Sequence, residues 1–240
     1  HAGRGRDALP GQHGGDAGDR GDAGLRVPVS LGERLVSLIR DTLPADQTIG
    51  IALSGGGDST ALLHLCLAAR LTVKAVTVDH RLRPESASEA AAVGEACAQL
   101  KVPHAVRVWE HGEVTGNLMD QARRARMALI VDWAGDEGLR VVALGHTRDD
   151  QAETFLMGLS RSAGLAGLSG MRPEWVEGSL RFLRPLLGAG REELRDWLRG
   201  EGIGWIDDPT NENDRFTRIR ARKALAALAP SPAYSAVPGR

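Results

Sequence analysis

The sequence predicts an α/β protein with a doubly wound parallel sheet and a short helical C-terminal extension. Short apolar runs alternate with segments of helical periodicity, a glycine-rich turn follows the first run, and polar clusters follow three of the runs. Strands that helices cover on both faces are expected to be continuously apolar, as these runs are. The alternation therefore favours a mostly parallel sheet with helices on both sides.

The predicted elements follow from local patterns. Before the sheet, Leu31, Leu35, Leu38 and Ile39 recur at helical spacing, and Pro44 follows that helix. Strands are predicted at residues 48–53, 72–78, 104–109 and 140–144. Helices are predicted from the glycine turn to residue 70 and at residues 85–100, 118–133, 150–159 and 191–199, with a last one beginning near residue 214. Residues 182–187 are interpreted as a short edge strand, because an edge tolerates Pro185.

The domain organisation follows from composition. Residues 1–30 are rich in Gly, Asp and Arg and are expected to form a disordered tail, because they cannot bury enough apolar surface to offset the loss of chain entropy. We expect the nucleotide-binding domain at residues 31–189, the helical extension at 190–229, and a flexible tail at 230–240.

Charge and cysteine content restrict the class of function. The 240 residues carry a formal net charge of −1, so nucleic acid would be contacted through local basic patches. The 2 cysteines form no C-x-x-C pair, which argues against a zinc ribbon or a disulfide framework and fits a reducing cytoplasm. We expect no membrane span and no secretory signal, because the sequence has no long apolar run and no apolar segment near its start.

The glycine-rich turn is Ser54-Gly55-Gly56-Gly57-Asp58-Ser59. Glycine permits positive φ angles and lets a ligand approach the backbone. The helix that begins here offers unpaired N–H groups and a favourable dipole for an anion, and Ser54 and Ser59 add hydroxyl donors. The segment predicts a cradle for phosphate or pyrophosphate; the alternative is an ordinary turn with a helix-capping Asp.

Asp58 separates this turn from a Walker P-loop, which has Lys before its Ser or Thr. A carboxylate next to phosphate is repelled unless a cation lies between them. Mg²⁺ commonly bridges carboxylates and phosphates through oxygen ligands. We therefore expect a magnesium–nucleotide site with Asp58 as a metal ligand.

A second polar cluster follows the second predicted strand, and a third follows the fourth. After the second strand, Asp79, His80, Arg81 and Arg83 could frame the nucleotide, or could form a polar loop that covers the sheet end. Ligands of open α/β sheets bind beyond the carboxyl ends of the strands, so these clusters are expected to converge on one cleft.

The cluster after the fourth strand contains His146, Asp149, Asp150 and Glu153. Asp150 and Glu153 share a helix face and could hold a cationic substrate group, or could simply interact favourably with the helix dipole. His146 could contact the ligand or be an ordinary loop histidine.

Basic residues on two predicted helices could contact phosphate. Arg123 and Arg126 are spaced to share one face, and Arg218 belongs to the Arg/Lys-rich last helix. Each group could contact ATP or RNA phosphates, or could be a solvated helix face.

The combined motifs resemble a known family. Ser54–Ser59 resembles the SGGxDS pyrophosphate loop of the N-type ATP pyrophosphatases, the PP-loop superfamily. Within it the chain is similar to the tRNA(Ile)-lysidine synthetase family from about residue 31 to 222. The matching elements are VDHxLR at 78–83, ARxxR at 122–126, GHxxDDQxET at 145–154, GLxGLxGM at 164–171, RPLL at 184–187 and DP[ST]N at 208–211. The chain departs at Met127, where an aromatic is common, and at residues 160–163, where R-G-S-G is common.

The resemblance implies a Rossmann-like fold of the adenine nucleotide alpha hydrolase type and a two-step ligase reaction. ATP, with Mg²⁺, would adenylate the C2 oxygen of the wobble cytidine in the isoleucine tRNA with a CAU anticodon. Free L-lysine would then displace AMP and form lysidine. By resemblance, residues 54–59 would hold pyrophosphate, Arg123 would neutralise the α-phosphate or the RNA, and Asp150 and Glu153 would hold the lysine amines. The family usually continues into a C-terminal domain that helps to recognise tRNA.

Three alternatives remain open. A tRNA cytidine thiolase of the same superfamily usually needs cysteines, often as C-x-x-C. A small-molecule ligase, such as one of NAD or GMP synthesis, would release pyrophosphate without tRNA. A nucleotide-binding protein without activity would bind ATP and form no AMP.

Overall fold

The computed structural model describes residues 30–112, 116–162, 164 and 168–206. Predictions for the two tails, for the helix near residue 214 with Arg218, and for residues 208–211 lie outside the described residues. The described elements are, in chain order, α1 (Leu31–Thr42), β1 (Ile49–Ala52), α2 (Gly57–Ala68), β2 (Val73–Asp79), α3 (Ser86–Gln99), β3 (His104–Val108), α4 (Leu118–Asp136), β4 (Val141–Leu144), α5 (Arg148–Ser160), β5 (Glu174–Glu177), β6 (Leu180–Leu183) and α6 (Arg191–Gly200).

The sheet confirms the predicted doubly wound α/β fold. Its strand order is β3-β2-β1-β4-β6-β5, and every neighbouring pair is parallel except β5 with β6. Ile51 of β1 lies in register with Ala75 on one side and Ala143 on the other. The chain proceeds outward from β1 to β3 and then returns to the opposite side of β1. The topological switch point therefore lies between β1 and β4, where such sheets bind ligands.

The prediction that residues 182–187 form an edge strand is wrong. Residues Leu180–Leu183 form β6, which lies between β4 and β5. Pro185 comes after the end of this strand and so does not interrupt its ladder. The edge is β5, a strand that the sequence did not predict. It is joined to β6 through Gly178, whose φ is +62°, and Trp175 of β5 stacks on Phe182 of β6 with ring centroids 4.6 Å apart.

Two apolar layers cover the sheet. One contains buried side chains of α1, α2, α3 and α6, and the other is formed chiefly by α4 with β4 and β6. Helix α2 is buried over most of its surface, as its continuous apolar sequence predicts. On α4, Ile130 and Trp133 are fully enclosed. These layers hold the carboxyl ends of β1, β2 and β4 side by side.

Helix α6 belongs to the same core as the sheet. Its residues Leu194 and Leu198 are fully buried in the cluster that contains α2, as their helical spacing predicts. The boundary that we placed between residues 189 and 190 stays a prediction. None of the described helices is both long and apolar enough to cross a membrane.

Candidate active site

The glycine-rich loop connects β1 to α2, as predicted. Gly55 has a φ of +82°, and a Cβ atom there would lie only 2.7 Å from Cγ2 of Val93. Gly56 is the N-cap of α2 and provides no side-chain hydrogen bond to the helix. Because glycine has no side chain, the N-cap leaves the N–H groups at the start of α2 uncapped. This suits an anion at the positive end of the helix dipole.

The serine hydroxyls brace this loop from within. Ser59 Oγ donates to the Gly56 carbonyl at 3.0 Å and accepts the backbone N–H of Ser54 at 3.1 Å. The hydroxyls of Ser54 and Ser59 are also 3.0 Å apart. The two groups that we expected at phosphate thus have a second task, which is to maintain the shape of the loop.

The turn after β4 lies directly against this loop. A Cβ atom on Gly145 would be 2.9 Å from the carbonyl oxygen of Asp58, so only glycine permits the approach. The clusters that follow β1 and β4 are therefore adjacent, as the parallel topology predicts.

Helix α5 begins at Arg148, two residues before its predicted start. Thr147 is the N-cap, and its hydroxyl accepts the N–H of Asp150. In return, Oδ2 of Asp150 accepts from the N–H and the hydroxyl of Thr147 at 2.8 and 3.0 Å. This reciprocal capping box starts the helix earlier and fixes the Asp150 side chain. Glu153, one turn further along, is fully buried.

The predicted acidic residues surround one cation, Arg191. The Arg191 guanidinium contacts Glu153 Oε1 at 2.9 Å, Asp150 Oδ1 at 3.0 Å and Asp58 Oδ2 at 3.3 Å. Its backbone N–H donates to Asp149 Oδ2 at 2.7 Å. The structure thus brings Asp58 of α2 together with Asp150 and Glu153 of α5.

Sequence reasoning missed Arg191, although one signal was present. A cation in the first turn of a helix is unfavourable with the helix dipole. Arg191 is the first residue of α6 and lies in that position. Such a placement requires nearby carboxylates to compensate, and these are supplied by α2 and α5.

Burial and charge act together on this cluster. Burial raises the pKa of Asp58 above its ordinary value, while Arg191 lowers it and Asp150 raises it further. Burial lowers the pKa of Arg191, but its hydrogen bond to Glu153 and the surrounding carboxylates outweigh burial and raise it overall. Arg191 therefore stays charged.

Asp58 has the properties expected of a metal ligand. Its Oδ1 atom is buried and has no hydrogen-bond partner within the described residues. The same part of the chain contains no ready-made group of three or more metal-binding side chains. Mg²⁺ is usually bound through one or two carboxylates, with phosphate oxygens and waters as its other ligands.

The cluster after β2 borders a cleft of about 410 Å³. Asp79, at the end of β2, accepts the N–H of Arg81 at 2.9 Å, and Arg83 pairs with Glu89 at 2.8 Å. The residues lining the cleft are Asp79, Arg81, Leu82, Arg83, Pro84, Ser86 and Ala87. Of the side chains that we expected to frame a nucleotide, Asp79, Arg81 and Arg83 line this cleft at the carboxyl end of β2, and His80 is not among its lining residues.

A basic patch, consisting of Arg123, Arg126 and Arg184, lies beside these clusters. Burial, and then the charge of Arg123, lower the pKa of both Arg126 and Arg184. Burial also lowers the pKa of His80, and Arg126 lowers it further. The charge of Arg123 on α4 thus acts on both Arg126 and Arg184, and such a group of cations favours a nearby anion.

His146 is held by the basic patch. Arg184 Nε donates to His146 Nδ1 at 3.0 Å, which places the imidazole proton on Nε2. The Arg184 guanidinium lies 4.2 Å from the centre of the Trp175 ring. Arg184 belongs to the RPLL motif, which predicts no role for it, and no local pattern identifies Trp175.

The segment after α6 crosses the glycine-rich loop. The N–H of Ile206 donates to the carbonyl of Gly55 at 2.9 Å, and the indole of Trp205 lies 3.5 Å from the position of a Cβ atom at Gly57. The loop is thus covered by chain that continues from the helix carrying Arg191.

Known proteins resemble this chain in both sequence and fold. The tRNA(Ile)-lysidine synthase of Ruegeria pomeroyi is 54% identical over 188 residues, which are 77% of this chain and 45% of that protein. The synthase of Hyphomonas neptunium is 45% identical over 190 residues (75% and 51%), and that of Zymomonas mobilis is 42% identical over 191 residues (77% and 57%). The chain spans about half the length of these curated relatives.

Solved structures of low sequence identity share the fold. The U34-tRNA thiolase NcsA of Methanococcus maripaludis superposes with a TM-score of 0.64 at 14% identity, over 88% of this chain and 84% of that one. The NMN synthetase of Francisella tularensis superposes with a TM-score of 0.54 at 13% identity, over 84% and 87%.

The sequence profile of a family described as a PP-loop domain matches residues 29–229, which include the glycine-rich loop, the capped start of α5 and Arg191. The chain therefore belongs to the PP-loop domain family of ATP-using proteins.

Proposed function

We propose that this protein joins free L-lysine to C2 of the wobble cytidine in the isoleucine tRNA with a CAU anticodon, consuming ATP and releasing AMP and pyrophosphate. The observation that carries the proposal is the meeting of Asp58, on the phosphate-loop helix, with Asp150 and Glu153 on α5. The proposed ATP-activating site and the proposed site for a cationic nucleophile would thereby be adjacent. Relatives named tRNA(Ile)-lysidine synthase support this choice of substrates.

The loop side of the site would bind Mg²⁺ and the leaving pyrophosphate. The N–H groups at the start of α2 would donate to phosphate oxygens, the hydroxyl of Ser54 would join them by turning away from Ser59, and Asp58 Oδ1 would bind the metal. Bound Mg²⁺ neutralises the charge that develops on the leaving group. Donors held in place before the reaction need little reorganisation, which is a large catalytic contribution.

The remaining clusters would bind the nucleoside and RNA. Asp79 and Arg83, which line the cleft after β2, frame the nucleotide together with His80 and His146. Arg123 and Arg126 neutralise the α-phosphate or the RNA backbone, and Arg218 contacts RNA. Asp150 and Glu153 hold the lysine ammonium group at the acidic cluster. The reaction is expected in the cytoplasm, where free lysine and tRNA meet.

The buried thiols disfavour the thiolase alternative. Cys66 and Cys97, the only cysteines of the sequence, are both fully buried, on α2 and α3. Burial raises the pKa of Cys66 to about 12 and that of Cys97 to about 11. Thiols that stay protonated at neutral pH are poor nucleophiles and poor iron ligands.

The test is incorporation of radiolabelled lysine into a CAU-anticodon tRNA transcript, with and without ATP. Asp58→Asn keeps the size of the side chain and removes its charge, so AMP release should fall by about 100-fold or more. Glu153→Gln should raise the KM for lysine by about tenfold and leave the KM for ATP unchanged. Glu192→Gln, on the exposed face of α6, is the matched control and should match the wild-type protein.

The contrary outcomes separate the alternatives. Pyrophosphate release without tRNA would indicate a small-molecule ligase. Tight ATP binding with no AMP formed would indicate a nucleotide-binding protein without activity. An unchanged lysine KM in Glu153→Gln would refute the assignment of that residue to lysine.

A further inference from the structure

Trp109 differs from the other tryptophans in that it does not pack on the apolar core. All 5 tryptophans of the sequence lie within the described residues. Trp133 is buried in the core, and Trp175, Trp197 and Trp205 pack against it. Trp109 is half-buried, belongs to neither apolar cluster, and lies directly after the end of β3. This large ring is therefore placed at the carboxyl edge of the sheet, where such folds bind ligands.

Two histidines surround the Trp109 ring. The imidazole of His111 lies 4.3 Å from it, tilted by 44°, and that of His80 lies 6.2 Å from it, edge-on at 83°. His111 Nε2 is also 3.1 Å from the backbone carbonyl oxygen of His80. Neither imidazole lies parallel to the indole, so neither forms a flat stack on it. These three residues form an aromatic group at the sheet edge.

The aromatic group lies on the α4 side of the sheet. Successive side chains of a strand alternate between its two faces. Ala105 of β3 packs in the apolar layer of α4, and Arg107 on the same face pairs with Asp136 of α4. The N–H of Trp109 continues the ladder by donating to the Asp79 carbonyl at 2.8 Å. The alternation therefore extends to Trp109 and directs its side chain to the α4 side.

Helix α4 adds positive charge and exposed apolar surface to the same side. Arg123 and Arg126 are three positions apart and share a helix face. Burial, and then the charge of Arg126, lower the pKa of His80. Met119 continues the face four residues before Arg123 and is 56% exposed. Proteins that bind single-stranded RNA combine these features, because cations contact its phosphates and its bases stack on aromatic rings.

The cleft after β2 lies on the opposite side of the sheet. Val78 packs in the α4 layer, so Asp79 points to the other face, where it lines the cleft with Ser86 and Ala87 at the start of α3. Helix α2, which follows the phosphate loop, packs in the same apolar layer as α3. The adenine of an ATP bound at this loop would therefore lie on the α3 side. The aromatic group is left for a different base.

We propose that Trp109, flanked by His111, is a stacking site for an unpaired base of an RNA substrate, whose adjoining phosphates are held by Arg123 and Arg126. The site is inferred from the rings and cations of the described residues. That the RNA is the anticodon loop of a tRNA rests on the proposed function.

The test is binding of labelled RNA to the full chain, measured by fluorescence anisotropy without ATP or lysine. The probes are a CAU-anticodon stem-loop and a fully paired RNA duplex of the same length. Trp109→Leu keeps apolar bulk but removes the aromatic face, so the Kd for the stem-loop should rise by about tenfold. The Kd for the duplex should stay the same, because the duplex offers no unpaired base.

Salt dependence separates stacking from charge. Trp109→Leu should leave the slope of log Kd against log salt concentration unchanged, because it removes no phosphate contact. Arg123→Gln should reduce the same slope by about 1. Val106→Ala is the matched control, because Val106 is on the same strand, is 43% exposed and points to the opposite face. It should bind both RNAs as the wild-type protein does.

Trp109→Phe keeps the test decisive if Trp109→Leu is poorly folded. The ring is retained, so its Kd for the stem-loop should stay within about threefold of the wild-type value. Stacking of a base on the indole should quench the tryptophan fluorescence of the wild-type protein when the stem-loop binds. Trp109→Phe should lose this quenching although it still binds the RNA.

Four results would overturn the proposal. They are an unchanged stem-loop Kd in a folded Trp109→Leu, equal weakening of duplex binding, quenching that persists in Trp109→Phe, and no binding of the stem-loop by the wild-type protein. A weaker affinity of Trp109→Leu for an ATP analogue, with RNA binding unchanged, would assign the ring to adenine instead. Because the binding assay needs neither ATP nor lysine, a failure to form lysidine would leave its result interpretable.

Discussion

At the scale of single residues, the first two glycines of the phosphate loop have different tasks. Gly55 has a positive φ and is enclosed by Val93 and Ile206. Gly56 has a φ of −69° and its nearest neighbour, Ser54 Oγ, lies 3.6 Å from a built Cβ atom. The need for glycine is thus strict at Gly55 and weak at Gly56.

Gly55→Ala should therefore be far more harmful than Gly56→Ala. A methyl group at Gly55 combines left-handed backbone strain with a 2.7 Å contact, so we expect a loss of about 2–4 kcal/mol in the free energy of unfolding. Gly56→Ala should lose about 1 kcal/mol or less. Urea denaturation gives both values, and calorimetric ATP titration reports the loop. Equal losses would show that loop geometry does not depend on Gly55.

At the scale of secondary-structure elements, the start of α5 decides where the acidic residues point. Thr147 is fully buried and exchanges hydrogen bonds with Asp150, so one carboxylate both caps the helix and contacts Arg191. The sequence predicted this helix and its acidic face. It did not reveal that Asp150 has two tasks, because the second partner lies 41 positions away along the chain.

Thr147→Ala should affect both stability and the site. Loss of the cap should lower the free energy of unfolding by about 1–2 kcal/mol. Because Asp150 also loses the Thr147 hydroxyl, lysine transfer should fall as well. Ser30→Ala removes the comparable but exposed capping box of α1 and serves as the control, with a similar stability loss and unchanged activity. Denaturant melts and the lysine incorporation assay separate the two effects; full activity in Thr147→Ala would contradict the second task of Asp150.

At the scale of the whole molecule, the switch point between β1 and β4 brings two loops together, and α6 completes the site from outside the sheet. Helix α6 carries Arg191 at its start and buries Leu194 and Leu198 against the core. The chain then crosses the phosphate loop, where Ile206 bonds to Gly55. We therefore expect α6 to unfold together with the sheet, although it follows the predicted boundary between residues 189 and 190.

Leu198→Ala tests this cooperativity. The substitution should lower the free energy of unfolding of the whole sheet domain by about 2–5 kcal/mol in one transition. Leu159→Ala is the control, because Leu159 is 48% exposed and its loss should change stability by about 0.5 kcal/mol or less. Far-UV circular dichroism and tryptophan fluorescence should give the same midpoint. Separate melting of α6 would indicate an independent extension.

The sequence by itself determined the order of the helices and of the first four strands, the phosphate loop, and the polar clusters at matching strand ends, because apolar periodicity, glycine and capping residues are local signals. It located Asp58, Asp150 and Glu153 but left their separation open. Only the tertiary structure decided that they meet on Arg191, that β6 lies inside the sheet, and that Arg184 joins His146 to Trp175. Each of these depends on contacts between residues far apart in the chain, which core packing and strand order bring together and which no local pattern specifies.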